Sequence, residues 1–141
     1  MSFVLDASVA LLWLAPDTNA AGVNQAIETL NALRQSQAHV PSLFTLELAN
    51  VVAKLETKGM VKEADSQRFI ELVTRLDIVT DQVTAEHALG NILNLARRYK
   101  LSAYDGAYLE LAQRMGLPIA TLDANLAKAA NIAGVRLFGV A

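Results

Sequence analysis

Cysteine is absent from this chain, which removes disulfides, thiol catalysis and thiolate metal sites together. A chain without disulfides suits the cytoplasm, and that is the expected compartment. Histidine is nearly as scarce: His39 and His87 lie far apart in sequence and give zinc nothing typical to bind. Neither sign of charge dominates, since 12 Lys and Arg stand against 14 Asp and Glu for a net charge of −2. Binding of nucleic acid by bulk electrostatics is thereby excluded, and any such contact must be local. Long hydrophobic runs are also missing. Val9-Ala10-Leu11-Leu12-Trp13-Leu14 is far shorter than the roughly 20 residues a bilayer needs. With no basic residue before it and Asp6 just upstream, it does not read as a signal peptide. Low-complexity stretches and linkers are lacking too. What remains is a 141-residue chain of 53% hydrophobic composition, expected to form one soluble domain over residues 1–141 with a substantial core and no membrane segment.

Short apolar runs alternate with helical periodicity along the chain. Ser2 to Leu5 reads as a first strand, and Asp6-Ala7-Ser8 turns directly into a short helix ending near Pro16. Asn19 to Gln35 has an amphipathic pattern with Val23, Ala26, Ile27, Leu30 and Leu33 on its buried side. His39-Val40-Pro41 is extended. A helix from Ser42 to about Lys58 carries Phe44, Leu48, Val51 and Leu55 on one face, with Glu47 at that face's edge. Lys62 to Arg75 is helical, Ile78-Val79 a strand, and Thr84 to Tyr99 a helix capped by Thr84. From Leu101 to Leu126 the pattern is helix, strand, helix. Tyr104, Ala107, Tyr108, Leu111 and Met115 form the apolar stripe, Gly116 stops the helix, and a strand from Leu117 to Thr121 leads to Asp123. Val135 to Phe138 supplies a last strand. Strands separated by helices indicate an α/β fold around a largely parallel central sheet.

Four carboxylates stand out. Asp6 and Asp123 follow strands, Asp105 lies in the first turn of a helix, and Glu47 sits on a helix face. Asp at such junctions is common for a plain reason, because it accepts orphan N–H groups and suits the helix dipole. Ser102-Ala103-Tyr104-Asp105 even matches a capping box. The repetition is what carries more, since the crevice at the carboxyl ends of parallel strands is where α/β proteins place ligands. Carboxylates gathered in one pocket repel unless a cation neutralises them. An all-oxygen set suits Mg2+ or Mn2+, which can activate water and stabilise charge on a phosphoryl group.

The blocks VLDASVALLWL, LFTLELANVV and LSAYDGAYLELAQRMGLPIATLDANL together resemble PIN-domain ribonucleases, and within them the VapC-like toxins of bacterial toxin–antitoxin pairs. The resemblance covers nearly the whole chain. It implies a three-layer α/β/α PIN-like fold and a metal-dependent endoribonuclease whose metal-binding acidic residues are Asp6, Glu47, Asp105 and Asp123. Ser8 matches the small hydroxyl position beside the first aspartate. Asn50, one turn after Glu47, and Asn125, two residues after Asp123, can orient a ligand or water. The family sometimes carries a further acidic residue near Asn125, which this chain lacks. A small antitoxin covering the acidic groove and a homodimeric state are implied as well, and a mean hydropathy of +0.30 is compatible with an apolar interface.

Arg97-Arg98-Tyr99-Lys100 is the one dense basic cluster, able to steer an RNA backbone or simply to complement a helix C-terminus. Tyr104 and Tyr108 read as core aromatics. An RNA-processing PIN nuclease outside a toxin system is the nearest alternative. A receiver-like signalling domain would want an acidic pair after the first strand, where Asp6-Ala7-Ser8 stands. A phosphatase of the haloacid-dehalogenase type would want a second Asp at the place of Ser8.

Overall fold

A strand buried on both faces needs an unbroken apolar run, and such runs suit a parallel sheet covered by helices. In the computed structural model of the protein, which describes residues 1–139, four strands pair, β1 (Phe3–Leu5), β2 (Ala38–Val40), β3 (Ile78–Thr80) and β4 (Ile119–Ala120), of which the central β1 and its neighbour β4 are wholly buried. All pairings are parallel, and the order across the sheet is β3-β2-β1-β4. Around the sheet run α1 (Ala7–Ala10), α2 (Val23–Ala32), α3 (Phe44–Thr57), α4 (Glu63–Arg75), α5 (Thr84–His87), α6 (Leu93–Tyr99), α7 (Ala103–Met115) and α8 (Ala124–Ile132). This is the three-layer α/β/α arrangement with a parallel sheet.

The strand order places the site. From β1 the chain steps outward to β2 and β3, then returns to lay β4 on the other flank of β1, so a crevice opens at the carboxyl ends of β1 and β4. Asp6 leaves β1 and Thr121 leaves β4 side by side, and the Asp6 N–H donates to the Ala120 carbonyl at 2.9 Å. Beneath them Phe3, Val4, Leu5, Val9, Tyr108, Leu109, Ile119 and Leu126 are fully buried. Each such aliphatic or aromatic side chain contributes about 1.5–3 kcal/mol, so the crevice rests on a firmly packed floor.

Several elements depart from the sequence reading. The amphipathic pattern at Asn19 to Gln35 begins as a 3-10 turn, Ala20–Gly22, before α2. Ala26 and Leu33 are buried as expected, but Thr29 joins them, its hydroxyl satisfied by the Gln25 carbonyl at 2.8 Å, while Ile27 faces solvent. On α7 the residues from Gly106 to Ala112 are all buried, so the helix is surrounded rather than laid on a single stripe. The ends of the expected stripe, Tyr104 and Met115, project beyond the packed region, with Tyr104 63% exposed.

Thr84 is not a helix cap. Its hydroxyl donates to Asp81 at 2.7 Å and accepts from the Ser42 N–H at 3.1 Å, and Val83 holds the cap position. The helix expected from Thr84 to Tyr99 is interrupted by a π-helical segment, Ala88–Ile92, in which Gly90 leaves helical geometry. This segment packs against α7 so closely that a side chain at Gly106 would place its Cβ 3.2 Å from the Ile92 carbonyl oxygen. Val135 to Phe138 does not form a strand. Left-handed Gly134 and Gly139 bracket it, leaving room for one bridge, Leu137 to Ile119, while the Phe138 ring stacks on Phe3 at 4.0 Å.

An ion cluster with a buried carboxylate and a solvent-exposed arginine fastens the far end of α7. Glu110 is 2% exposed, and Arg114 reaches it at 2.8 Å while also gripping Asp81 at 2.8 Å. That pairing ties α7 to the turn after β3.

Candidate active site

Asp6 ends β1 in extended conformation, immediately before α1. Two hydroxyls converge on one of its oxygens: Ser8 Oγ donates to Oδ2 at 2.6 Å and Thr121 Oγ1 donates to the same atom at 2.7 Å. Each hydroxyl is itself fixed, because Ser8 Oγ accepts from the Leu122 N–H and Thr121 Oγ1 accepts from the Asp123 N–H, both at 3.0 Å. The carboxylate is thus clamped by the chain on either side of the crevice. By sequence Thr121 is only the end of a buried strand, and nothing in its type alone singles it out for the site. A hydroxyl two residues before Asp123, mirroring Ser8 two residues after Asp6, was the available signal.

Glu47 projects from the first turn of α3, half-buried, and receives a 2.6 Å hydrogen bond from the Tyr108 hydroxyl. Tyr108 is a core aromatic, as expected, yet its polar end holds a site residue. Asp105 lies in the first turn of α7, where its N–H donates to Ser102 Oγ at 3.1 Å. Asp123 caps α8, accepting the Leu126 N–H at 2.9 Å through Oδ1. The capping roles of Ser102 and Asp123 therefore exist, and they coexist with a position on the crevice.

The carboxylates feel one another. Burial raises the Asp6 pKa from 3.8 to about 6 against the pull of the Ser8 and Thr121 hydroxyls, and the charges of Glu47 and Asp123 push it further up. Asp105 is likewise raised to about 6, by burial first and then by the charges of Asp6 and Asp123. Glu47 is raised by burial and by Asp105, while the bond from Tyr108 opposes the shift. Tyr108, between buried surroundings and the charges of Asp6 and Glu47, is driven far above the usual phenol range and stays a neutral donor.

Repulsion of this kind is relieved by a cation, and the donor set, carboxylates with supporting hydroxyls, fits a hard divalent ion. Among the described residues no three acidic or imidazole groups are already drawn together closely enough to hold an ion.

The remaining candidates lie outside this ring. Asn50 is exposed on α3, and Asn125 is exposed in the first turn of α8. Arg97, Arg98 and Lys100 are exposed at the end of α6. Arg98 and Lys100 face Asn125 and Lys128 across a cavity of about 310 Å³, whereas Arg97 is not part of its lining. Among the described residues no helix is long and apolar enough to cross a membrane.

A parallel α/β/α sheet with acidic residues grouped at its switch point defines a class, and the sequence pattern of the PIN domain matches residues 3–132. The chain belongs to the PIN-domain family. It is 31% identical to the VapC ribonuclease Mb0985 of Mycobacterium bovis over 87% of each chain. To Ribonuclease VapC3 of Pyrobaculum aerophilum it is 25% identical, over 91% of this chain and 94% of that one. Its fold is similar to a chain of a toxin-antitoxin complex from Klebsiella pneumoniae, with a TM-score of 0.61, 21% identity and 94% of both chains covered.

Proposed function

We propose that this chain is a metal-dependent endoribonuclease and the toxin of a toxin–antitoxin pair. The observation that carries the reading is the clamped, mutually repelling carboxylate group at the β1–β4 crevice in a chain of the PIN-domain family. Mg2+ or Mn2+ held by Asp6, Glu47, Asp105 and Asp123 would supply positive charge to a phosphodiester and a water acidic enough to attack it.

The protein's own part is positioning. Ser8 and Thr121 spend their hydrogen bonds on Oδ2 of Asp6, which reserves Oδ1 for a ligand. Tyr108 Oη engages Oε1 of Glu47 and leaves Oε2 in the same way. Hydroxyl donors also favour the ionised carboxylates at neutral pH against the burial that disfavours them. Asn50, one turn after Glu47, and Asn125, two residues after Asp123, supply amides able to orient water or substrate. Names of relatives, ribonuclease in two cases and a toxin-antitoxin complex in the third, support the RNA substrate and an antitoxin partner. We infer a homodimer and a single catalytic domain on the same family grounds.

The test is cleavage of a broad RNA pool by purified protein with Mg2+ or Mn2+. Cleavage that disappears in EDTA and in Asp6→Asn supports the reading. RNA left intact with either ion, or cleavage indifferent to EDTA, overturns it.

A further inference from the structure

Three cations, Arg98, Lys100 and Lys128, line one cavity of about 310 Å³ together with Tyr99 and Asn125, and no carboxylate joins the lining. In a chain of net charge −2 that is a local concentration of positive charge. The helix dipole accounts for Arg98, in the last turn of α6. It does not account for Lys128, which sits in the middle of α8. None of these cations is in an ion pair among the described residues, where the pairs involve Arg68 and Arg114; Arg98 lies over the ring of Tyr99, itself part of the lining, at 5.9 Å.

Lys100 adds an independent sign. It is the one non-glycine residue with positive φ among those described, at φ 55, and it occupies the helix end where glycine is the usual choice. A lysine kept in a conformation its side chain disfavours points to a use for that side chain. The lining residues are close in sequence to the acidic crevice: Lys100 precedes Ser102 and Asp105 at the start of α7, and Asn125 lies in the first turn of α8, which Asp123 caps.

We propose that this cavity holds the phosphodiester backbone of a single-stranded RNA next to the nucleotide at the carboxylate ring. The inference rests on the ribonuclease reading. Phosphates can pair with Arg98, Lys100 and Lys128 while Asn125 offers an amide, and the contact is to the backbone, so it serves any sequence.

The test is binding of a fluorescent single-stranded RNA in EDTA, followed by anisotropy across a salt series. Arg98→Ala/Lys128→Ala should weaken binding by roughly tenfold or more and lower the slope of log K against log salt by about 0.7 for each cation removed. Arg98→Lys/Lys128→Arg should keep the slope, and Arg34→Ala, an exposed charge elsewhere, should leave affinity near wild type. Lys100→Gly should weaken RNA binding yet melt no lower than wild type, which a purely structural role would not produce. RNA binding unchanged in the double variant, or weakened with the salt slope intact, overturns the proposal. So does a loss of affinity for a poly-glutamate peptide with RNA binding retained. Wild-type protein that neither binds nor cuts RNA removes the ribonuclease reading itself. A wild type that cuts RNA with the double variant binding it equally well removes only the cavity's role.

Discussion

The Tyr108 hydroxyl donates a 2.6 Å hydrogen bond to Glu47 Oε1, joining α7 to α3 beside the crevice. Because Tyr108 is fully buried, Tyr108→Phe takes away the donor and leaves an acceptor with restricted access to water. The expected cost is about 1–2 kcal/mol in urea unfolding. A cycle with Glu47→Gln should recover a coupling of at least about 0.5 kcal/mol. If the two substitutions simply add, the bond has no energetic weight.

Glu47 itself should behave oppositely with and without metal. Its charge is opposed by burial and by Asp105, so Glu47→Gln should leave the metal-free protein as stable as wild type or more so. The rise in melting temperature on adding Mn2+ should shrink in the variant, because a ligand has been removed. An identical rise in both proteins would take Glu47 out of the site.

The pH dependence of the metal-free protein follows from Asp6. Its folded pKa of about 6 lies above the ordinary 3.8, so the folded state holds the proton more tightly than the unfolded chain. Stability from this group is fully present below pH 4 and is lost as pH rises to about 6. The amount is about 3 kcal/mol for this buried carboxyl. Asp105 acts in the same direction but is half-exposed, and solvent reduces its share. Asp81, held low by Arg114, works the other way and loses its contribution as pH falls below 4. Urea melts in EDTA from pH 4 to 7 should show the decline in wild type and a flatter line in Asp6→Asn.

Away from the crevice, Arg114→Ala should strand Glu110, which is 2% exposed, without its counter-charge. A loss of about 1–3 kcal/mol is expected, because Glu110 loses its partner while the arginine side of the pair is solvent-exposed. Glu110→Gln/Arg114→Met should cost less than Arg114→Ala alone, a ranking that chemical denaturation can check.

The elements were legible where composition leaves little choice. Phe3 to Leu5 and Ile119-Ala120 are apolar runs with nowhere to go but a buried strand, and Gly116 ends α7 as expected. Lateral neighbours were not legible, since periodicity says nothing of β4 lying beside β1 instead of beyond β3. That order is what puts Thr121 on Asp6. Tyr104 failed for another reason: on a helix buried nearly all round, the apolar stripe does not say where packing stops. Thr84 matched the type of a cap, but its hydroxyl was claimed by Asp81 and Ser42.

The clamp on Asp6 joins residues 115 positions apart in sequence, and that distance has a meaning for biosynthesis. A ribosome delivers Asp6 first and Thr121 and Asp123 near the end, so the crevice lacks one wall for most of the time the chain is being made. The clamp on Asp6 is therefore completed only once Thr121, at the end of β4, has emerged.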